Sequence, residues 1–293
     1  MTFQTEITLS GPLRSPAQML ADQEYGGHAS VHDDAEAAKL GLAGAPIEGP
    51  THFSQFDPLA VEAWGQAWFE RGCISSHFQN MVVEGEEVRA SLIRATGRID
   101  AHKADGTPVL TGTATIGAEQ HTELDTRRER GLGDPGDLYI VDQLEIGMTA
   151  EPVTVTMDFD SHNGALYPFT LAQKLDRITE RSTWYDGESP WGAPIMPTEM
   201  ISVLAHQAGA HFPVRGPAVG LFIDLEVRYV DGPVLVGRPY EVRHTLVGIG
   251  QSRAVESYWT ESVLIDTSTG AHAATVLLHQ GVFKASYADY PAS

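Results

Sequence analysis

Gly44-Ala45-Pro46-Ile47-Glu48-Gly49-Pro50-Thr51-His52-Phe53 is the stretch on which the reading of this chain turns, because it returns as Gly192-Ala193-Pro194-Ile195-Met196-Pro197-Thr198-Glu199-Met200. In each copy a Gly/Pro turn opens directly onto an apolar run, which predicts a bend followed by the start of a helix. The first N–H groups of a helix have no intrahelical partner, and such an end attracts a carbonyl oxygen or an anion. The chain therefore reads as a two-fold repeat.

A second landmark supports the repeat. Pro16-Ala17-Gln18-Met19-Leu20 is echoed by Leu171-Ala172-Gln173-Lys174-Leu175. The offset between copies is 155 at this landmark and 148 at the Gly-Ala-Pro-Ile turn, so the second copy is 7 residues shorter between them. The missing residues fall where the first copy carries His28-Ala29-Ser30-Val31-His32-Asp33-Asp34-Ala35-Glu36-Ala37-Ala38. Only the first half keeps the histidine-bearing insertion. The expectation is an N-terminal unit over 1–130 that carries the chemistry and a C-terminal unit over 131–293 that binds substrate or supports the first.

Outward from the turn, Ser15 to Tyr25 reads as a short helix stopped by Gly26-Gly27, and the segment with Asp33 and Asp34 in its first turn as an alanine-rich helix ending at Gly41. Pro50 to Phe69 is the long central helix, with a cap and kink at Asp57-Pro58. Ala60, Trp64, Ala67 and Trp68 share one face of it. Val82 to Ala118 reads as antiparallel strands with a hairpin at Asp105-Gly106. Glu119 to Asp137 is polar and reads as a linker without regular structure. In the second unit Val153 to Phe159 alternates as a strand, and further strands are expected at Gly220–Tyr229, Tyr240–Gly248, Arg253–Ile265 and Ala273–Lys284.

With 293 residues and 42% hydrophobic content, the chain can bury an ordinary core without staples. The single cysteine, Cys73, excludes an internal disulfide and any multi-cysteine zinc site, and is read as a buried structural thiol. No run of 18 apolar residues occurs and the N-terminus lacks a signal-peptide pattern, so no membrane association and a cytoplasmic location are expected. A net charge of −20 argues against nucleic acid, whose binding depends on Lys and Arg neutralising phosphates. An anionic ligand such as coenzyme A would need a local basic patch; the candidates are Arg127-Arg128-Glu129-Arg130, Arg238, Arg243, and Lys174 with Arg177.

A helix followed by an antiparallel sheet, given twice, resembles an α+β double hotdog, in which a curved sheet wraps a long central helix in each unit. His32-Asp33-Asp34-Ala35-Glu36-Ala37-Ala38 and Pro46-Ile47-Glu48-Gly49 resemble motifs of the MaoC-like hotdog family of (R)-specific enoyl-CoA hydratases and 3-hydroxyacyl dehydratases. The family pattern is Asp-x4-His-x-Asp followed by alanines, then Pro-Ile and a Gly that begins the central helix. The resemblance implies a lyase acting on an α,β-unsaturated or 3-hydroxy acyl thioester, with His32 as acid/base and the Gly49 N–H holding the thioester carbonyl. It implies no cofactor, and a monomer or a homodimer of such chains. The chain departs from the pattern in three ways: Gly27 stands where the family has its Asp, Ala29 where an Asn is usual, and one residue is missing between Pro46-Ile47 and Gly49.

His28, Glu48 and His52 are accordingly further catalytic candidates, and Thr51, Asp34 and Tyr25 are candidate substrate contacts. Asp160-Ser161-His162-Asn163 and Glu199, at the repeat position of His52, are read as structural. No metal signature is present. Two alternatives stay open. One is a thioesterase, cyclase or lyase for a bulky apolar substrate lined by Trp64, Trp68, Phe53, Phe56, Trp184 and Trp191; the other is a non-catalytic acyl-binding partner subunit.

Overall fold

Long strands rich in β-branched and aromatic residues dominate the second half of the chain. A computed structural model describes residues 6–24, 27–118, 120–130, 133–209 and 212–291. The strands are β1 (Thr8–Ser10), β2 (Gly72–Phe78), β3 (Val88–Ile93), β4 (Arg98–Lys103), β5 (Pro108–Ile116), β6 (Val153–Val155), β7 (Gly220–Tyr229), β8 (Tyr240–Gln251), β9 (Val255–Asp266) and β10 (His272–Phe283). They form one sheet in the order β1-β3-β4-β5-β2-β7-β10-β9-β8-β6.

That order reads the same from both ends once β1 is matched to β6, β3 to β8, β4 to β9, β5 to β10 and β2 to β7. Two copies of one five-stranded arrangement thus meet along β2 and β7, which pair antiparallel from Cys73↔Arg228 to His77↔Asp224. This is the architecture of a double hotdog. Strand β2, absent from the sequence reading, is the element that joins the copies. Its Gly-Cys-Ile-Ser-Ser run is buried throughout, so no alternation marks it.

The central helix of the first unit, expected over Pro50 to Phe69 with a cap and kink at Asp57-Pro58, is broken into shorter pieces, one break falling at Asp57, which does not cap the helix that follows. It consists of a 3-10 turn over Gly49–Gln55, then α2 (Asp57–Trp64) and α3 (Ala67–Arg71), with α1 (Asp34–Lys39) preceding them. Gly65 separates α2 from α3 at φ 63°, a left-handed conformation open to glycine. The Asp57 carboxylate is turned inward, where it accepts from Trp68 Nε1 at 2.8 Å, Tyr185 Oη at 2.9 Å, Thr198 Oγ1 at 2.5 Å and Thr198 N at 3.2 Å. Tyr185 and Thr198 belong to the second unit, so this buried carboxylate ties the two central helices together. Around it the ring of Phe69 meets Trp184, Tyr185, Trp191 and Tyr229 edge-on at 6.0–6.4 Å between centroids.

Ser15 to Glu24 is not helical. Gln18 Oε1 takes the N–H groups of Met19 and Leu20, each at 2.8 Å, and Gln18 Nε2 donates to the Pro46 carbonyl at 2.5 Å. A side chain thus satisfies the donors that a helix would use and straps the segment to the Gly/Pro turn. The matching segment of the second unit does form a helix, α5 (Leu171–Arg177), because Thr170 and Gln173 make a capping box.

The polar segment read as a linker contains a helix, α4 (Glu123–Glu129), started by a capping box of Thr122 and Asp125. It has one core contact, Leu124 against Trp259 and Leu277, too little to give a periodic signal. Its first turn is bolted across the seam instead: Leu124 N–H donates to Ser75 Oγ at 3.0 Å, Glu123 N–H to Thr113 Oγ1 at 3.0 Å, and Thr122 Oγ1 to Glu226 at 2.8 Å. The remaining helices are α6 (Thr183–Asp186) and α7 (Thr198–His206), the central helix of the second unit. Strand β6 stops at Val155, short of the expected Phe159. Among the described residues no helix is long and apolar enough to cross a membrane.

Because Asp57 holds four buried donors, Asp57→Ala leaves them all unpaired and is expected to lower stability by about 3–5 kcal/mol. Urea unfolding followed by tryptophan fluorescence measures this; a loss below about 1 kcal/mol would show that the carboxylate is not the tie between the units.

Candidate active site

A cavity of about 610 Å³ lies where the histidine-bearing segment of the first unit faces α7 and β7 of the second. His28, His32, Glu48, Gly49 and His52 all line it. Tyr25 lies outside the described residues. Asp34 and Thr51 do not reach the wall. The Asp34 carboxylate instead accepts the Ala45 N–H at 2.9 Å, tying α1 to the turn, and Thr51 Oγ1 faces the seam, where it accepts from Lys174 Nζ at 3.0 Å.

His32 sits just before α1, whose N-cap is Asp33 and not His32. Its Nδ1 lies 2.7 Å from the Pro46 carbonyl. A carbonyl only accepts, so Nδ1 carries the hydrogen and Nε2 of the neutral ring keeps its lone pair. Burial lowers the His32 pKa and the bond to Pro46 partly offsets it, so the ring is neutral near pH 7. Two residues after Pro46 comes Glu48, 7% exposed. Burial pushes its pKa up to about 7; Lys174 pulls it down and Glu199 adds to the rise. A carboxyl that is partly protonated at neutral pH and an imidazole with a fixed tautomer therefore share one wall, linked through Pro46.

His52, 2% exposed, is held neutral: burial lowers its pKa to about 4, with help from Lys174 and Lys103. His28 reaches across to the second unit, accepting the Ala218 N–H on Nδ1 at 3.3 Å. At Gly49 a Cβ would stand 2.7 Å from the ring of Phe78, so a larger residue would have to displace that ring from the wall. Its N–H opens the 3-10 turn beside Pro50, which has no N–H to offer.

The second unit contributes a residue that the sequence reading missed. His206, at the end of α7, lines the same cavity. Its Nδ1 donates to the Ser202 carbonyl at 2.8 Å, and its ring stacks on His244 at 5.8 Å. A lone histidine after an apolar helical run carries no local signal of such a position. Behind the wall, Lys174 is 3% exposed and Glu199 is 1% exposed, with 3.5 Å between Nζ and Oε1. Lys174 is thus a buried seam residue and not part of a basic surface patch. Three of the other basic candidates are engaged, Arg127 with Glu123 and Asp224, Arg238 with Asp266 and Arg243 with Glu241.

The aromatics proposed for a bulky apolar substrate are elsewhere. Trp68, Phe53 and Phe56 are core residues, Trp64, Trp184 and Trp191 pack against that core, and the cavity takes its rings from Phe78, Tyr167, Phe212, Phe222 and Tyr258. Cys73 is buried and its thiol is pushed well up by burial, which makes it inert. Among the described residues no group of three or more His, Cys, Asp or Glu side chains is arranged to hold a metal ion.

Glu48 and Glu199 each bind a proton more tightly in the folded chain, with pKa values of about 7 against an ordinary 4.5. Their contribution is present in full below about pH 4.5 and is lost as pH rises through 7. The stability difference between wild type and Glu199→Gln is therefore expected to change by on the order of 2 kcal/mol between pH 5 and 8, in favour of the variant at the higher pH. Urea midpoints across that range measure it, and parallel curves would show that Glu199 is ionised throughout.

No family model and no curated protein sequence matches the chain. Solved structures match it over nearly its whole length. A Mycobacterium tuberculosis protein described as having a double hotdog fold aligns at TM-score 0.59 and 11% identity, covering 96% of this chain and 97% of that one. A MaoC domain protein from Chloroflexus aurantiacus J-10-fl aligns at 0.58 and 13%, covering 96% and 95%. The dehydratase domain of PpsC from Mycobacterium tuberculosis aligns at 0.52 and 14%, covering 97% and 96%. At these identities the likeness is one of fold: the chain is a double hotdog, built as those MaoC-domain and dehydratase structures are.

Proposed function

We propose that the chain catalyses the hydration of an α,β-unsaturated acyl thioester or related carbonyl compound, and the reverse dehydration of its 3-hydroxy form. The observation that carries this reading is the pair His32 and Glu48 on one cavity wall, with the His32 tautomer set by the Pro46 carbonyl. One group is a base with a free lone pair and the other an acid with a pKa near the working pH, the combination that general acid/base catalysis needs.

Hydration builds negative charge on the carbonyl oxygen. A fixed donor at that oxygen lowers the barrier, and the Gly49 N–H is the donor at the head of the turn. His32 Nε2 takes a proton from water as the water oxygen bonds to Cβ. The Cα=Cβ electron pair moves into an enolate, and the carbonyl re-forms as Glu48 gives its proton to Cα. Proton exchange with solvent then returns His32 and Glu48 to their starting states, so one water is consumed and nothing is oxidised or reduced. Dehydration runs the same steps backwards.

Glu48 takes the part that the family motif gives to an Asp at the position of Gly27. His28 and His52, on the same wall, hold the water and the 3-hydroxyl. In the second copy Met196 stands at the position of Glu48, so each chain has a single acid/base set. The dehydratase domain of PpsC, built on the same fold, is consistent with this chemistry.

His32→Ala and Glu48→Gln should each lower kcat/KM for hydration by roughly 10²- to 10⁴-fold, followed as loss of the enoyl absorbance. Wild-type kcat/KM should fall as pH rises through about 7, as Glu48 ionises. A rate for His32→Ala equal to that of wild type would remove His32 from the mechanism.

A further inference from the structure

Among the described residues, the Asp, Glu, Lys and Arg side chains on the cavity wall are two, Glu24 and Glu48, both acidic. The other polar lining among the described residues comprises glutamines such as Gln79 and Gln280, hydroxyls such as Ser30 and Tyr258, and imidazoles from both units. Burial keeps the imidazoles of His32, His52 and His206 in the neutral form. Such a wall suits a neutral ligand with an apolar body and one or two oxygens, the usual composition of a small-molecule pocket.

Four described cationic residues near this wall have partners, and one of them, Lys103, which acts on His52, is paired with Glu86 at 2.7 Å. Arg215, next to the lining residue Val214, is clamped on Asp142 by two hydrogen bonds of 2.7 and 2.8 Å. Lys284, two residues after the lining residue Val282, donates to Gln251 and sits over the Tyr290 ring. Lys174, behind Glu48, is sealed in the seam between Thr51 and Glu199. A nucleotide-linked thioester brings on the order of four negative charges in its phosphates, and here it would approach a chain of net charge −20. Like-charge repulsion of this kind slows encounter, and salt screens it.

We propose that the substrate is an uncharged α,β-unsaturated or 3-hydroxy carbonyl compound that the cavity of about 610 Å³ encloses, free of a nucleotide carrier. The inference rests on the hydratase/dehydratase reading and names its substrate class. The carbonyl end meets Gly49, His32 and Glu48. The apolar body extends toward Phe212, Ala218 and Tyr258, part of the second hydrophobic cluster of the fold.

The test compares one enoyl group carried on coenzyme A, on N-acetylcysteamine, which is an uncharged thioester, and as the methyl ketone, each with the full-length wild-type chain at low and high salt. The expected result is a kcat/KM for an uncharged compound at least about tenfold above that of the coenzyme A thioester at low salt. Salt should raise the value for the coenzyme A thioester and leave those of the uncharged compounds unchanged. Equal or better turnover of the coenzyme A thioester, or a value for it that falls with salt, overturns the inference while leaving the reaction intact. If none of the three is turned over, the hydratase reading fails, and the inference is read from binding of the saturated analogues. A rise in Tm with the uncharged thioester and not with the coenzyme A thioester upholds it, and any other pattern overturns it.

Discussion

One carbonyl oxygen, that of Pro46, organises the first half of this molecule. It accepts His32 Nδ1 at 2.7 Å and Gln18 Nε2 at 2.5 Å, so both of its lone pairs are used by side chains that arrive from the preceding segment. The proline restricts φ and keeps the backbone extended into Glu48, so the same residue that orients the imidazole sets where the carboxyl emerges. In the second copy the matching carbonyl, of Pro194, accepts the Val236 N–H at 3.0 Å. There it serves the backbone, and no imidazole is held. The difference between the two halves of the duplication is therefore a difference in what one acceptor is paired with.

The first unit does not make its site alone. Glu48 lies in front of a buried pair, Lys174 and Glu199, contributed by the second unit, and these two act on its acidity in opposite directions. Taking such charges out of water is costly, and the fold accommodates them at the seam, where β2 and β7 pair and Asp57 binds the two central helices. The same seam brings His206 to the cavity. A half that has lost the histidine-bearing insertion thus still shapes the electrostatics of the half that kept it.

Some of this is legible in the residues and some is not, and the reasons differ. The strands β7 to β10 are readable because each has ten or more residues rich in β-branched and aromatic side chains, and β8 alternates throughout. The turn at Asp105-Gly106 is readable from its chemistry, and Gly106 adopts the positive φ of 88° that the turn requires. Strand β2 is hidden because both of its faces are covered. Helix α4 is hidden because its stability comes from a cap and from hydrogen bonds to Ser75, Thr113 and Glu226, none of which leaves a period in the sequence. The segment from Ser15 resembles a helix, yet Gln18 diverts its donors.

By itself the sequence determined the duplication, the unequal spacing between its landmarks, the strand-rich character of each half and the set of chemically capable residues between His28 and His52. These are properties of local order: turn chemistry, period and residue type act over a few neighbouring positions. Tertiary structure decided which of those residues share a wall, that Asp34 and Thr51 turn away from it, that Lys174 is buried and that His206 comes in from the far unit. Those outcomes depend on how the two copies pack across β2 and β7, a contact between segments about 150 residues apart. No window of sequence contains it.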